Sequence, residues 1–175
     1  IADVCNEICD KLINRHPHIY GDVKVTSEED VKRNWENIKL KEGKKSVLEG
    51  VPRGLPALVK ASRVQEKVAG VGFDWEKPEQ VWEKVQEELA EFQEEVKVND
   101  QDKMESEFGD VMFSMVNYAR FLNISPENAL ERTNKKFIGR FQYLEAKAKE
   151  LGKELKEMTL AEMDVFWDEA KLAEK

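Results

Sequence analysis

The sequence predicts an all-α protein, a helical bundle, and three observations carry that prediction. Apolar residues recur at helical spacing along most of the chain, and no stretch alternates as a half-buried strand does. Helix-start and helix-stop residues punctuate that pattern repeatedly. Charged residues make up 37% of the 175 and aromatic residues 9%, which suits amphipathic helices with solvated outer faces.

A first helix is expected over residues 2–14, ending before His16-Pro17, with an irregular link through Gly21-Asp22. Thr26 and Glu29 form a capping-box pair for a second helix reaching about residue 43. Residues 44–54 contain Gly50, Pro52 and Gly54 and read as a loop. A third helix spans about 56–69 and stops at Gly70-Val71-Gly72. Pro78 fits the first turn of a fourth, running to about 98. Asn99-Asp100 is a turn whose Asp100 caps a fifth helix to about 122. Ser125-Pro126-Glu127 opens a long sixth helix to about 151, and Thr159 with Glu162 caps a last one through 173. Residues 1–22 carry no acidic signature and read as an arm rather than a domain.

The net charge of −8 argues against a general binder of nucleic acid or anionic membranes, since both need a basic surface. A small anionic ligand stays open, through a local basic cluster or a metal. No apolar run approaches the roughly 20 residues of a membrane span. The opening Ile1-Ala2-Asp3-Val4 lacks the features of a signal peptide. Cys5 and Cys9 are spaced wrongly for a redox CxxC and too few for a zinc site. Buried, reduced thiols in a cytoplasmic protein are expected.

Two acidic pairs are the chemical signal. Glu88 and Glu91 lie three apart on the fourth helix, Glu107 and Asp110 three apart on the fifth. That spacing puts each pair on one helical face. Antiparallel helices would bring the four carboxylates to one spot, where oxygen ligands favour Mg2+, Mn2+ or Ca2+. The competing reading is a solvated flank beside an apolar stripe. The stripe is Val81, Trp82, Val85, Leu89, Phe92 and Val96 on the fourth helix. On the fifth it is Phe108, Val111, Met112, Met115, Val116, Ala119 and Leu122, with Glu107, Asp110, Ser114 and Asn117 on another side. Residues 111–122 hold one charge, Arg120, so this helix is expected to be central and covered on most sides. Gly109 suggests a close backbone approach between the acids. A di-iron centre is disfavoured, because neither His16 nor His18 follows a glutamate by three positions.

Glu87-Glu88-x-x-Glu91 followed by Glu107-x-x-Asp110 resembles the signature of the MazG nucleoside triphosphate pyrophosphohydrolases. The resemblance extends to Val71-Gly72-Phe73-Asp74-Trp75, Asn117-Tyr118-Ala119-Arg120, Asn134-Lys135-Lys136-Phe137, Arg140-Phe141, Met163-Asp164 and Trp167 through Lys171. Arg15 through Asp22 resembles the close of a preceding MazG domain, so residues 1–25 would be its tail and linker. Residues 26–175 would then be the catalytic domain, and the first of the family's two acidic motifs is absent.

The resemblance implies Mg2+-dependent hydrolysis of nucleoside triphosphates to monophosphate and pyrophosphate, with Mn2+ as a possible substitute, in a homodimer. Glu88, Glu91, Glu107 and Asp110 would hold the metal. Glu87, on another azimuth, would orient water, and the general base is left open among the acids. Lys136 and Arg140, spaced i, i+4, could clamp phosphates, and Lys84 could pair with Glu88 or touch phosphate. Asn117 and Asn134 could bond the ligand or fix carboxylates. By resemblance Trp167, Lys171 and Lys39 reach the base or phosphates. The alternatives are a helical interaction module needing no metal, a narrow dUTP, dCTP or phosphoribosyl-ATP enzyme, and a nucleotide-binding relative without turnover.

Overall fold

The structure is a computed structural model that describes residues 1–27, 30–31, 34–35, 38 and 46–173. Two compact units divide it, Ile1–Ile124 and Ser125–Lys175. The described residues form helices and connecting turns, with no strand among them, as the sequence predicts.

In the first unit, α1 is Ala2–Arg15 and the single turn α2 is Pro17–Tyr20. No residue of α1 is buried, and Cys5 and Cys9 are exposed. This corrects the expectation of buried thiols: none of the described residues covers the apolar face of α1. His16 is hydrogen-bonded rather than free, its Nδ1 lying 2.7 Å from Leu12 O. The predicted second helix falls largely outside the described residues, and Glu29 and Lys39 lie there. Among the described ones, the Thr26 amide and hydroxyl donate to Asp30 Oδ2 at 3.2 and 2.7 Å.

Three helices then build the site: α3, Ala57–Ala69; α4, Pro78–Val98; and α5, Gln101–Phe121. Pro78 sits at the start of α4, where its missing N–H has no intrahelical partner to lose. Gln80 Oε1 accepts from the amides of Glu76 and Lys77 at 3.1 and 3.0 Å. Asn99 ends α4 in the left-handed region at φ 62°, a conformation asparagine tolerates better than most residues. Asp100 then caps α5, its Oδ1 accepting from the Lys103 amide at 3.3 Å. A link this short turns the chain back on itself, so α4 and α5 pack antiparallel. α3 packs against α5 as well.

The buried line of α4 is Val81, Val85 and Glu88. Trp82, Leu89 and Val96, assigned to the core from the sequence, are each about two-fifths exposed or more. On α5 the buried residues are Val111, Ser114 and Val116, whereas Phe108, Met112, Met115 and Leu122 are exposed. Both stripes are therefore rotated towards their polar edges, because the edges face each other across the helix pair. Among the described residues, the expectation that α5 is covered on most sides is not met.

In the second unit, α6 is Pro126–Glu150 and α7 is Leu160–Ala173, with a short 3-10 turn at Leu155–Glu157. α6 packs against α7 over Leu144, Ala148, Met158 and Ala170. The predicted capping box is present: Glu162 Oε2 accepts from the Thr159 amide at 2.8 Å, and the Glu162 amide donates to Thr159 Oγ1 at 3.3 Å.

Lys153 reaches Glu162 Oε1 at 2.8 Å and, with the Thr159 amide and hydroxyl, holds its carboxyl down at about 2. A carboxyl depressed on folding stabilises above its ordinary value near 4.5, and that stabilisation is lost as pH falls towards 2. Glu162→Gln is accordingly expected to lower the Tm of the chain at pH 7. The difference from the unsubstituted chain should shrink between pH 4.5 and 2, which calorimetry across pH can follow.

Among the described residues no helix is long and apolar enough to cross a membrane.

Candidate active site

Glu88 lies one turn beyond Val85 on the buried line of α4 and is only 8% exposed. A carboxylate withdrawn from water this far requires a compensating charge. Lys84 supplies one: its Nζ stands 2.8 Å from Glu87 Oε1 and 2.8 Å from Glu88 Oε1. Those two hydrogen bonds, to Glu87 and then Glu88, hold the Lys84 ammonium charged well above its ordinary range. Glu87 is thus tied to Lys84 at the surface, and Glu88 is fixed facing α5.

Across the helix pair, Glu107 and Asp110 complete a group with Glu88. Each of the three offers a carboxylate oxygen within 4.8 Å of the others. Glu91, the fourth predicted ligand, is exposed and stands outside that group, with no hydrogen bond or ion pair among the described residues. It is nonetheless close enough for its charge to act on Glu107. Loss of solvent, then the charges of Glu91, Asp110, Glu88 and Glu95, raise the Glu107 carboxyl above its ordinary value.

The donor set fits a hard divalent cation. It is all oxygen, and one cation at its centre would offset the lost solvation and then the neighbouring charges that raise Glu107.

Gly109 gives no evidence of close approach, since a Cβ built there meets nothing within 4 Å. This corrects the sequence expectation and yields a test. Gly109→Ala should raise stability by about 0.5–1 kcal/mol through helix propensity alone, measurable by urea denaturation.

A cavity of about 560 Å³ opens behind the acids. Lys84, Glu88 and Asp110 line it together with Gln65, Phe73 and Phe113. One wall is a polar lock that sequence spacing did not reveal, because its partners are 46 residues apart. Arg120 forks onto Asp74, with Nη1 to Oδ2 at 2.9 Å and Nη2 to Oδ1 at 2.5 Å. The same guanidinium donates to Asn117 Oδ1 from Nη2 at 2.8 Å and from Nε at 3.1 Å. Asn117, a predicted ligand contact, therefore lines the cavity while bonded to Arg120. The strings Val71–Trp75 and Asn117–Arg120 were visible in the sequence, but only as marks of resemblance.

The remaining candidates belong to the second unit. Asn134 and Lys136 are exposed on α6. Arg140 lies over the Trp167 ring, 5.7 Å from its centroid, and Trp167 meets Phe137 edge-on at 4.9 Å. Lys171 stands 3.6 Å from Asp168.

Residues 76–144 match the MazG nucleotide pyrophosphohydrolase domain. Across 178 residues the chain is 39% identical to the nucleoside triphosphate pyrophosphohydrolase of Escherichia coli K12, covering 98% of this chain and 68% of that protein. The chain belongs to the MazG family. A second MazG relative, the nucleoside triphosphate pyrophosphohydrolase/pyrophosphatase MazG of Thermotoga maritima, is 42% identical over 174 residues. That match covers 98% of the chain and 66% of the relative. The uncharacterised protein YabN of Bacillus subtilis is 50% identical over 179 residues, 37% of its own length. The chain thus spans about two thirds of the MazG relatives that carry a described activity. The residues of this chain that match the domain, 76–144, take in α4 and α5, which carry the acid group and the Lys84 bridge.

Proposed function

We propose that this chain hydrolyses nucleoside triphosphates to the monophosphate and pyrophosphate, using a divalent cation held by Glu88, Glu107 and Asp110, with Glu91 as fourth ligand or water-side carboxylate. The observation that carries this reading is the convergence of three carboxylates from two helices, two of which, Glu88 and Asp110, line a cavity of a size usual for small ligands. A surface flank would leave Glu88 exposed; here it is buried and paired.

Mg2+, or Mn2+ in its place, supplies neutralisation of the triphosphate and polarisation at phosphorus when bound. The chain's own residues provide the rest. Lys84 fixes Glu88 in one orientation and keeps Glu87 beside it. With Glu88, Glu107 and Asp110 proposed to hold the metal and Glu87 paired with Lys84, Glu91 is proposed as the carboxylate that accepts the proton of an attacking water. Lys136 and Arg140, one turn apart on α6, are proposed to meet the phosphates, with Asn134 alongside. Trp167, Lys171 and Lys39 stay in this reading as contacts to the nucleotide.

The active form is proposed to be a cytoplasmic homodimer that needs no nucleic acid or membrane. Exposed Phe108, Met112 and Met115 on one face of α5 give that dimer an apolar surface to bury. Residues 1–25 stand in this reading as the tail of a preceding MazG domain, and 26–175 as the catalytic domain.

The test is release of pyrophosphate and monophosphate from a panel of canonical and modified NTPs and dNTPs, with Mg2+ or with EDTA. Metal-dependent release from several substrates is the expected result. Turnover of dUTP or dCTP alone would point to the narrow enzyme, and no turnover of any to the interaction module.

A further inference from the structure

We propose that Arg120 is a positioning residue for the hydrolysis. Anchored by Asp74, it holds the Asn117 side chain so that the amide nitrogen, and not the oxygen, is offered to an oxygen of the substrate. The proposal rests on the pyrophosphohydrolase reading, which puts a triphosphate at the acids of α4 and α5.

A guanidinium carries only N–H donors, so the Asn117 atom that takes two of them is its oxygen. Arg120 Nε and Nη2 reach it at 3.1 and 2.8 Å. The amide nitrogen is thereby turned away from Arg120. It has no hydrogen-bond partner among the described residues. Unlike Gln65 Oε1 and Glu95 Oε2, which also lack partners, it is not sealed from solvent. Two donor hydrogens are therefore open on a side chain that lines the cavity, and no carboxylate takes them.

Arg120 is itself fixed. Nη1 and Nη2 fork onto the two oxygens of Asp74, and Asp74 Oδ1 also accepts from the Trp75 amide at 2.9 Å. The terminal torsion of an asparagine is otherwise broad, so without this clamp either end of the amide can turn to the cavity. An oxygen there would face the oxygens of the substrate and repel them. Asn117 follows Asp110 by seven residues on α5, two turns along the same face and about 10 Å along the axis. Asp110 and Asn117 line the same cavity, so a ligand anchored at the acids extends past the amide.

The experiment is a double-mutant cycle on kcat and KM for ATP with Mg2+, using Asn117→Ala, Arg120→Met and the pair, each checked as folded by circular dichroism. Each single variant is expected to raise KM about fivefold, the size of one ordinary hydrogen bond, with kcat within about twofold. The double variant should show no further rise, because Arg120 acts only through Asn117. A purely structural arginine would instead raise KM by the same factor with or without Asn117. Additive effects, an unchanged KM in either single variant, or a loss confined to kcat would overturn the proposal. If Arg120→Met does not fold, Asp74→Asn takes its place in the cycle, with the same expectation. If the unsubstituted chain turns over no nucleoside triphosphate, the pyrophosphohydrolase reading fails by itself. The Asn117 side-chain amide signals, followed by NMR as α,β-methylene-ATP and Mg2+ are added, then decide the positioning. A shift that Arg120→Met abolishes supports it, and no shift, or one that persists in Arg120→Met, refutes it.

Discussion

Glu88→Gln is expected to lower metal-dependent pyrophosphate release by roughly three orders of magnitude, since several kcal/mol of metal-derived stabilisation would be lost. The substitution keeps the side chain's shape on the buried line of α4 while removing its charge. Lys84 retains Glu87 as a partner at 2.8 Å, so the helix pair should stay folded. Glu107→Gln gives the complementary result. Its carboxyl is raised chiefly by lost solvation and then by neighbouring acids, so the metal-free chain should melt higher once that charge is gone. The gain in Tm on adding Mn2+ should disappear in the same variant. Thermal melts with and without metal, beside the activity assay, separate a ligand from a residue needed only for folding. Surface decoration would show the first effect without the second.

The second large effect is expected at Arg120. One guanidinium holds Asp74 and Asn117 together, joining the Gly72–Trp75 turn to α5. Its side chain and that of Asp74 are about one quarter exposed, so the pair is only partly screened. Arg120→Met should cost about 2 kcal/mol, the order typical of charged hydrogen bonds, and leave Asp74 without its fork. Lysine keeps the charge but cannot make two parallel bonds, so Arg120→Lys should recover only a minor part. Urea denaturation of Arg120→Met, Asp74→Asn and the double variant gives the coupling directly. Additive effects would show that the fork contributes nothing.

Helix ends were readable because they depend on local chemistry. Pro78, Asp100, Ser125 and the Thr159–Glu162 pair each act within one turn, and the structure places helix starts at all four. The acid pairs were readable for the same reason, as i, i+3 positions on two helices joined by a tight turn. Which face is buried was not. The hydrophobic stripe through Trp82, Leu89 and Phe92 outweighs Glu88 in any pattern, yet Glu88 is inside and Leu89 is not. Burial there is decided by what the opposite helix presents, namely Glu107, Asp110 and Ser114, and that is a tertiary fact. Gln65, Asp74 and Arg120 escaped for a related reason. Their partners lie 46 to 48 residues away, beyond the reach of periodicity. The exposed cysteines of α1 follow the same logic, since amphipathic spacing promises a covered face only where something covers it.

The most direct test of the central claim is a crystal structure of the chain with Mn2+, read by anomalous scattering. The account predicts a peak bonded by oxygens of Glu88, Glu107 and Asp110. A peak elsewhere, or none in crystals of a chain that still turns over nucleotides, would contradict it.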